Sequence, residues 1–429
     1  MKATAAKTIS KLEAVKNAEA KLLLPTYERH PVLFTRGRGV YLYDESGNRY
    51  LDFLSGIGVN ALGHGHPAIR KALAAQAAKV LHISNLFYHE YQSAVAERLT
   101  RMAGMDRAFF CNSGAEAWEG ALKLARSYGQ LMSAKKGKPA WRILALEHSF
   151  HGRTMGALST TSTAKYRAPF EPLLPGVRFV RFNDVADLER KFDDSVCAVA
   201  VEAVQGEGGI NPISPLFMAA ARALTKKSNA LLLCDEIQCG LGRTGVPFAF
   251  QRYPAKPDVV TVAKPLASGL PLGAILTTEA VSRAIHPGLH GTTFGGGPMS
   301  CAVALAFLEI LENPETLAHV NAVGDYFKGR LIELAAEHEC VRQVRGLGLM
   351  LGMELDSADR AKAIVKGLLD RKIIANRTHE VVLRFLPPYV ITEKHVDTVI
   401  DALDELLLEN GKQSVPALTK RKGGKRSQS

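Results

Sequence analysis

The sequence predicts a doubly wound α/β architecture, with a mostly parallel sheet between helices and a smaller α+β domain built from both chain ends. Three observations predict it. Short apolar runs alternate with helical stretches through the middle of the chain, those runs show little polar alternation, and the patterning changes at both ends.

The apolar runs are Arg107–Cys111, Arg142–Leu146, Val177–Phe182, Ala198–Val204, Ala230–Asp235 and Val259–Ala263. Their Val, Leu, Ile and Phe content suits strands covered on both faces. Helical spacing fills Ala115–Arg126 and Ser214–Ser228 between them. Near the N-terminus, Val40–Leu54 reads as a strand, a turn at Glu45-Ser46-Gly47-Asn48, and a second strand. Near the C-terminus, Leu347–Leu355 and Val381–Leu386 read as strands beside amphipathic helices at Ser357–Asp370 and Glu393–Leu408. Met299–Leu311, continuing towards Arg330, reads as one long helix joining the two units. The expected division is 1–75 for the N-terminal segment with part of the small domain, 76–328 for the large domain, 329–412 for the C-terminal small domain, and 413–429 for a basic disordered tail.

Composition narrows the class of function. The 429 residues are 47% hydrophobic and 22% charged, as in ordinary globular chains. No apolar run approaches the ~20 residues of a membrane span, and residues 1–21 contain no apolar signal core. A cytoplasmic protein without a membrane partner is expected. The net charge of +12 lies mainly at the ends. Residues 411–429 carry six basic side chains and no acid, and residues 1–21 carry five lysines against two glutamates. A near-neutral body with basic ends is not a nucleic-acid groove. Six cysteines without a C-x-x-C pair read as reduced, buried thiols.

Two motifs are set aside. Gly240-Leu241-Gly242-Arg243-Thr244-Gly245 fits G-x-G-x-x-G, but five residues separate it from Cys234 and Pro247 interrupts any following helix. A dinucleotide fingerprint needs that turn directly between strand and helix. Gly63-His64-Gly65-His66-Pro67 has no nearby ligand set for a metal and reads as a Gly-rich bend.

The chemistry-bearing positions begin with Lys264, which ends the apolar run Asp258–Ala263. A lysine at a buried strand end is costly unless paired or used as a nucleophile, although a snorkelling lysine also fits. Asp235 ends Leu231-Leu232-Leu233-Cys234, and a carboxylate there could partner a pyridinium nitrogen. Asn112-Ser113-Gly114-Ala115-Glu116 follows a strand and opens a helix. Its free N–H groups and hydroxyl suit a phosphate, and equally a plain helix cap. Phe150-His151-Gly152-Arg153-Thr154 sets an aromatic face beside an arginine able to grip a carboxylate. Glu202-Ala203-Val204-Gln205-Gly206-Glu207 puts acids at a strand's carboxyl end, where α/β proteins bind ligands.

Together with Leu54–His64, Asp235–Gly245, Lys264–Ala274 and His290–Gly296, these motifs resemble class III pyridoxal-phosphate aminotransferases of fold type I. Among them, the acetylornithine group is most similar. The motifs run in family order over roughly residues 35–390. The resemblance implies pyridoxal 5'-phosphate as cofactor, with Lys264 as the Schiff-base lysine and Asp235 as the ring-nitrogen partner. It implies Gln238 on the phenolic oxygen, Ser113, Gly114 and Ala115 around the phosphate, and Phe150 on the ring. It further implies a homodimer in which Thr293 reaches the neighbouring subunit's phosphate. Arg153 would bind the α-carboxylate of an acylated substrate, Arg384 that of glutamate, and Glu207 would mask Arg384 between the two.

Three positions depart from the family pattern: Trp118 replaces a smaller residue, Ala203 a proline and Gly297 an asparagine. Trp118 is expected to serve packing. Ile57 stands where ornithine aminotransferases tend to have tyrosine. The expected reaction is therefore transfer of the terminal amine of N-acetylornithine to 2-oxoglutarate in arginine biosynthesis. Succinylornithine, ornithine, 4-aminobutyrate and a carrier-bound lysine precursor are alternative donors. A non-catalytic binding protein on the same fold is the alternative from another class.

Overall fold

The computed structural model describes residues 10–134 and 137–411, so the basic tail expected at 413–429 lies outside the described residues. The central sheet has seven strands, labelled here in chain order. They are β1 (Arg107–Cys111), β2 (Arg142–Leu146), β3 (Val177–Val180), β4 (Val196–Glu202), β5 (Leu231–Asp235), β6 (Val259–Val262) and β7 (Gly273–Thr277). Their spatial order is β1-β7-β6-β5-β4-β2-β3. The pairs from β6 to β3 are parallel. Strand β7 is antiparallel to both β6 and β1, so β1 points the same way as β2 to β6.

Alternation along β2 explains why these strands look uniformly apolar. Leu144 and Leu146 face one core while Ile143 and Ala145 face another on the opposite side of the sheet. Helix α1 (Gly114–Ser133) covers β4, β6 and β7, and helix α2 (Pro215–Ser228) lies against β4 and β5. Both sides are thus dry, which is the condition for a strand with no polar face.

Strand β7 was absent from the sequence reading. It is a short run behind Pro271, and its antiparallel insertion between β1 and β6 has no local signature. The long helix expected from Met299 towards Arg330 is instead two, α3 (Pro298–Leu311) and α4 (Pro314–Glu337). Pro314 has no N–H to continue the ladder. Asn313 adopts an extended backbone and caps α4, accepting from the Glu315 N–H at 3.0 Å.

Both chain ends supply two four-stranded sheets. One combines Phe34–Arg38, Tyr41–Asp44 and Arg49–Asp52 with Ile373–Ile374, which lies parallel to the third strand in register Ile373 to Leu51. The other is antiparallel, from Val341–Leu347, Met350–Leu355, Val382–Phe385 and Asn376–Thr378. The strand expected over Leu347–Leu355 is therefore two, divided at Gly348 and Leu349. Gly348 sits at φ +53°, and a Cβ there would lie 2.6 Å from the Thr244 backbone.

That close approach gives the G-x-G-x-x-G turn its role. Buried Arg243 donates from Nη1 to the carbonyls of Leu349, at 3.1 Å, and Pro387. Its guanidinium lies 4.7 Å over the Tyr389 ring. The turn locks the central sheet to the C-terminal strands. His64 is likewise structural, bonding Asp52 at 2.8 Å through Nε2. All six cysteines are free thiols, five of them buried. No helix among the described residues is long and apolar enough to cross a membrane.

Candidate active site

Six strands point their carboxyl ends the same way, and the chemistry-bearing residues lie on or just past five of those ends. Asp235 closes β5 and Glu202 closes β4. Ser113 lies two residues past β1, Lys264 two past β6, and Phe150 four past β2. The fold brings them around one cavity of about 500 Å³. Its lining includes Ser113, Gly114, Ala115, Phe150, Arg153, Glu207, Asp235, Gln238 and Lys264, so nine of the expected positions converge.

At one end, Ser113 caps α1, its hydroxyl accepting from the Glu116 N–H at 3.2 Å. The Glu116 carboxylate folds back to accept from the Asn112 backbone N–H at 2.8 Å. The first-turn N–H groups of Gly114 and Ala115 have no intrahelical acceptors and face the cavity. This end is built for an anion.

Opposite lies Asp235, almost fully buried. Its Oδ1 accepts from the Ile237 N–H at 3.1 Å, and its Oδ2 lies 2.7 Å from His151 Nδ1. The buried His151 ring also lines the cavity, and its Nε2 has no hydrogen-bond partner among the described residues. Sequence reasoning gave His151 no role, because Asp235 is 84 residues away.

Lys264 begins a short turn enforced by Pro265 and sits at φ +25°, a strained backbone for any side chain. Burial pulls its pKa below the usual lysine value, with Glu207 and Asp235 opposing. It makes no hydrogen bond among the described residues. Glu202 accepts from the N–H groups of Phe150 at 3.0 Å and Gly206 at 3.1 Å, holding the two loops together. Burial raises Glu202 to about 7, aided by Asp235 and opposed by His151.

The third wall holds an ion pair between Arg384, from Val382–Phe385, and Glu207. Arg384 also donates to Asn376 at 3.1 Å and to Gln238 at 3.2 Å. Burial alone would raise Glu207, but the charge and hydrogen bond of Arg384 leave it lowered overall. Gly206 admits this arrangement, since a Cβ there would lie 2.4 Å from Gln238 Oε1. Arg153 stands at the exposed rim, its guanidinium 3.6 Å over the Tyr166 ring.

Of the other two expected positions, Arg384 does not itself line the cavity but backs Glu207 and Gln238, which do, and Thr293 lies elsewhere. Thr293 is exposed and lines a second cavity of about 830 Å³ with Asn85, Phe87, Tyr88 and His290. Ile57 is not among the lining residues of the first cavity, whereas its near neighbour Val59 is.

A half-buried lysine, a buried carboxylate on the same cavity and an anion cradle on an α/β sheet define the site of an enzyme that handles a phosphorylated aldehyde cofactor. Residues 24–407 match the family of class-III aminotransferases. The chain is 44% identical over 393 residues to an acetylornithine aminotransferase of Methanocaldococcus jannaschii, covering 91% of this chain and 97% of that protein. It is 43% identical over 379 residues to a succinylornithine transaminase of Yersinia pseudotuberculosis, covering 87% and 92%. The solved ornithine aminotransferase of Toxoplasma gondii superposes with a TM-score of 0.89 at 31% identity, covering 95% of this chain and 97% of that one. The chain belongs to the class-III aminotransferases. It is an aminotransferase of fold type I, and enzymes of this class use pyridoxal 5'-phosphate. The site fits that cofactor: a half-buried amine without a hydrogen bond among the described residues, an anion cradle and a carboxylate converge on one cavity.

Proposed function

We propose that the chain transfers the terminal amino group of N-acetylornithine to 2-oxoglutarate, giving N-acetylglutamate semialdehyde and glutamate, a step of arginine biosynthesis. The observation that carries this reading is the ion pair between Glu207, on the cavity wall, and Arg384 buried behind it. An enzyme that takes two unlike amines needs an arginine that can be covered and uncovered. The acetylornithine enzymes among its relatives support the donor.

When bound, pyridoxal phosphate supplies an electron-accepting ring. In this reading Ser113, Gly114 and Ala115 hold its phosphate, Phe150 covers its ring, and Gln238 donates to its phenolic oxygen. Asp235 keeps the proton on the ring nitrogen. Lys264, its charge disfavoured by burial, anchors the cofactor and carries a proton at the reacting carbon. Arg153 grips the far carboxylate of the acylated donor. Arg384 grips the α-carboxylate of glutamate once Glu207 has moved aside.

We further infer a homodimer in the cytoplasm, with Thr293 facing the second subunit. Exposed Phe87, Tyr88 and Phe294 beside Thr293 support the dimer, and six free thiols support a reducing compartment.

A panel of amino donors with 2-oxoglutarate tests the reading. N-acetylornithine is expected to give the highest kcat/KM. The Yersinia relative favours succinylornithine as the second reading, and a tenfold preference for that donor would establish it. A tenfold preference for ornithine or 4-aminobutyrate overturns both.

A further inference from the structure

Trp118, expected from the sequence to serve packing, has a particular neighbour in the structure. It lies one turn into α1, four residues after Gly114, so it shares a helix face with the anion cradle. It is fully buried. Its indole stacks on the His151 imidazole, with centroids 4.0 Å apart and planes 8° from parallel. Its Nε1 donates to Thr160 Oγ1 at 2.8 Å, which fixes the rotation of the indole. The His151 backbone N–H is tied in turn to Thr161 Oγ1 at 2.9 Å. His151 is thus held by one ring face, by its backbone and by the Nδ1 contact to Asp235.

A buried imidazole beside a small residue would have a void where the indole now lies. The ring could tilt into that space, and a hydrogen bond weakens steeply as its angle departs from linear. The indole removes that freedom. It also joins the cradle for the phosphate to the carboxylate for the ring nitrogen through one stack of two side chains.

We propose that Trp118 is a positioning residue: acting through His151, it fixes the orientation of the Asp235 carboxylate relative to the N-terminus of α1. This rests on the reading of Asp235 as the partner of the ring nitrogen. Trp118 and His151 lie in contact, so their effects on Asp235 should be coupled. An indole that serves packing alone would change stability without changing the charge state of the bound cofactor.

The test is a pH titration of the visible absorbance of the holoenzyme, with cofactor retention measured alongside by dialysis. Trp118→Ala and His151→Ala are each expected to shift the titration midpoint by at least half a unit in the same direction, and to weaken retention about tenfold. Trp118→Ala in the His151→Ala background should shift the midpoint no further. Trp118→Phe, which keeps a stacking face, should retain the parent midpoint. If Trp118→Ala does not fold, Trp118→Leu fills most of the volume without a π face and takes its place. A parent-like midpoint in that variant overturns the proposal, as does an equal shift with and without His151. Asp235→Asn is titrated in parallel. If it also leaves the midpoint unchanged, the reading of Asp235 falls; if it alone shifts the midpoint, only the role of Trp118 falls.

Discussion

Arg384 and Glu207 form an ion pair of unequal burial: the arginine side chain is 1% exposed and the glutamate side chain 29%. The arginine is fixed from behind by Asn376, whereas the glutamate has solvent to move into. The pair should therefore open by movement of Glu207. Arg384→Ala is expected to slow the glutamate half-reaction at least ~30-fold, the equivalent of about 2 kcal/mol for a lost buried charge contact, and to leave the acylornithine half within a fewfold. Glu207→Ala should draw α-amino acids generally into the site. Single-turnover rates for each half decide this, and equal losses in both halves would make Arg384 structural.

Lys264→Ala should abolish catalytic transamination and the visible band of the bound cofactor. Stability should change in the opposite direction. Because burial lowers the pKa of Lys264, the unfolded chain binds the extra proton between the folded and unfolded values. The cost is full below the folded pKa and relieved as pH rises towards the unfolded value near 10.4. Lys264→Met in the cofactor-free protein should therefore melt higher than the parent at pH 7, by an amount that shrinks at pH 10. Melting scans at the two pH values measure it, and a lower melting temperature at pH 7 would contradict the burial cost.

Glu202 gives a second pH signature. Its folded value of about 7 lies above the unfolded carboxylate range. Between those values the native state holds the extra proton, so stability falls as pH rises and the cost is complete above 7. Glu202→Gln misorients one hydrogen bond at every pH. Relative to the parent, however, it should gain about 2–3 kcal/mol on going from pH 5 to pH 8. Denaturant unfolding at both pH values tests this, and a flat difference would place Glu202 in the ordinary carboxylate range.

The dimer reading predicts that Phe87→Glu with Phe294→Glu, at positions 70% and 67% exposed, yields a monomer that loses its cofactor readily. Sedimentation and dialysis would check both parts. Retention of a dimer by this variant would move the interface elsewhere.

What could be read from sequence follows the range of each interaction. Strands β2, β4, β5 and β6 declared themselves because each is buried on both sides along nearly all of its length, and β1 and β3, less buried, by their apolar runs alone. Lys264, Asp235 and Ser113 stood out as polar residues that interrupt or end such runs. Strand β7 did not, since its place depends on neighbours more than a hundred residues apart in the chain. His151 was missed for the same reason, and Trp118 was read only as packing because its contact with His151 spans two separate motifs. The break before Pro314 is legible in sequence, since a proline ends the helical pattern that runs up to it.

The pairing of Ile373 with Leu51 sets the order in which this protein can be finished. Leu386 donates to the Phe53 carbonyl and accepts from the Ser55 hydroxyl, and Tyr389 donates to the Ala61 carbonyl. The segment carrying Val59 to the cavity therefore waits, unpaired along one edge, until residues 373–389 have been made. The central sheet can form first, with its lysine and its anion cradle, but the wall that closes over them arrives last. A truncated product ending before residue 373 would keep Lys264, Asp235 and Ser113 and lack both Arg384, the grip proposed for glutamate, and the strand that seats the N-terminal wall. Completeness of translation is in this way a precondition for substrate selection.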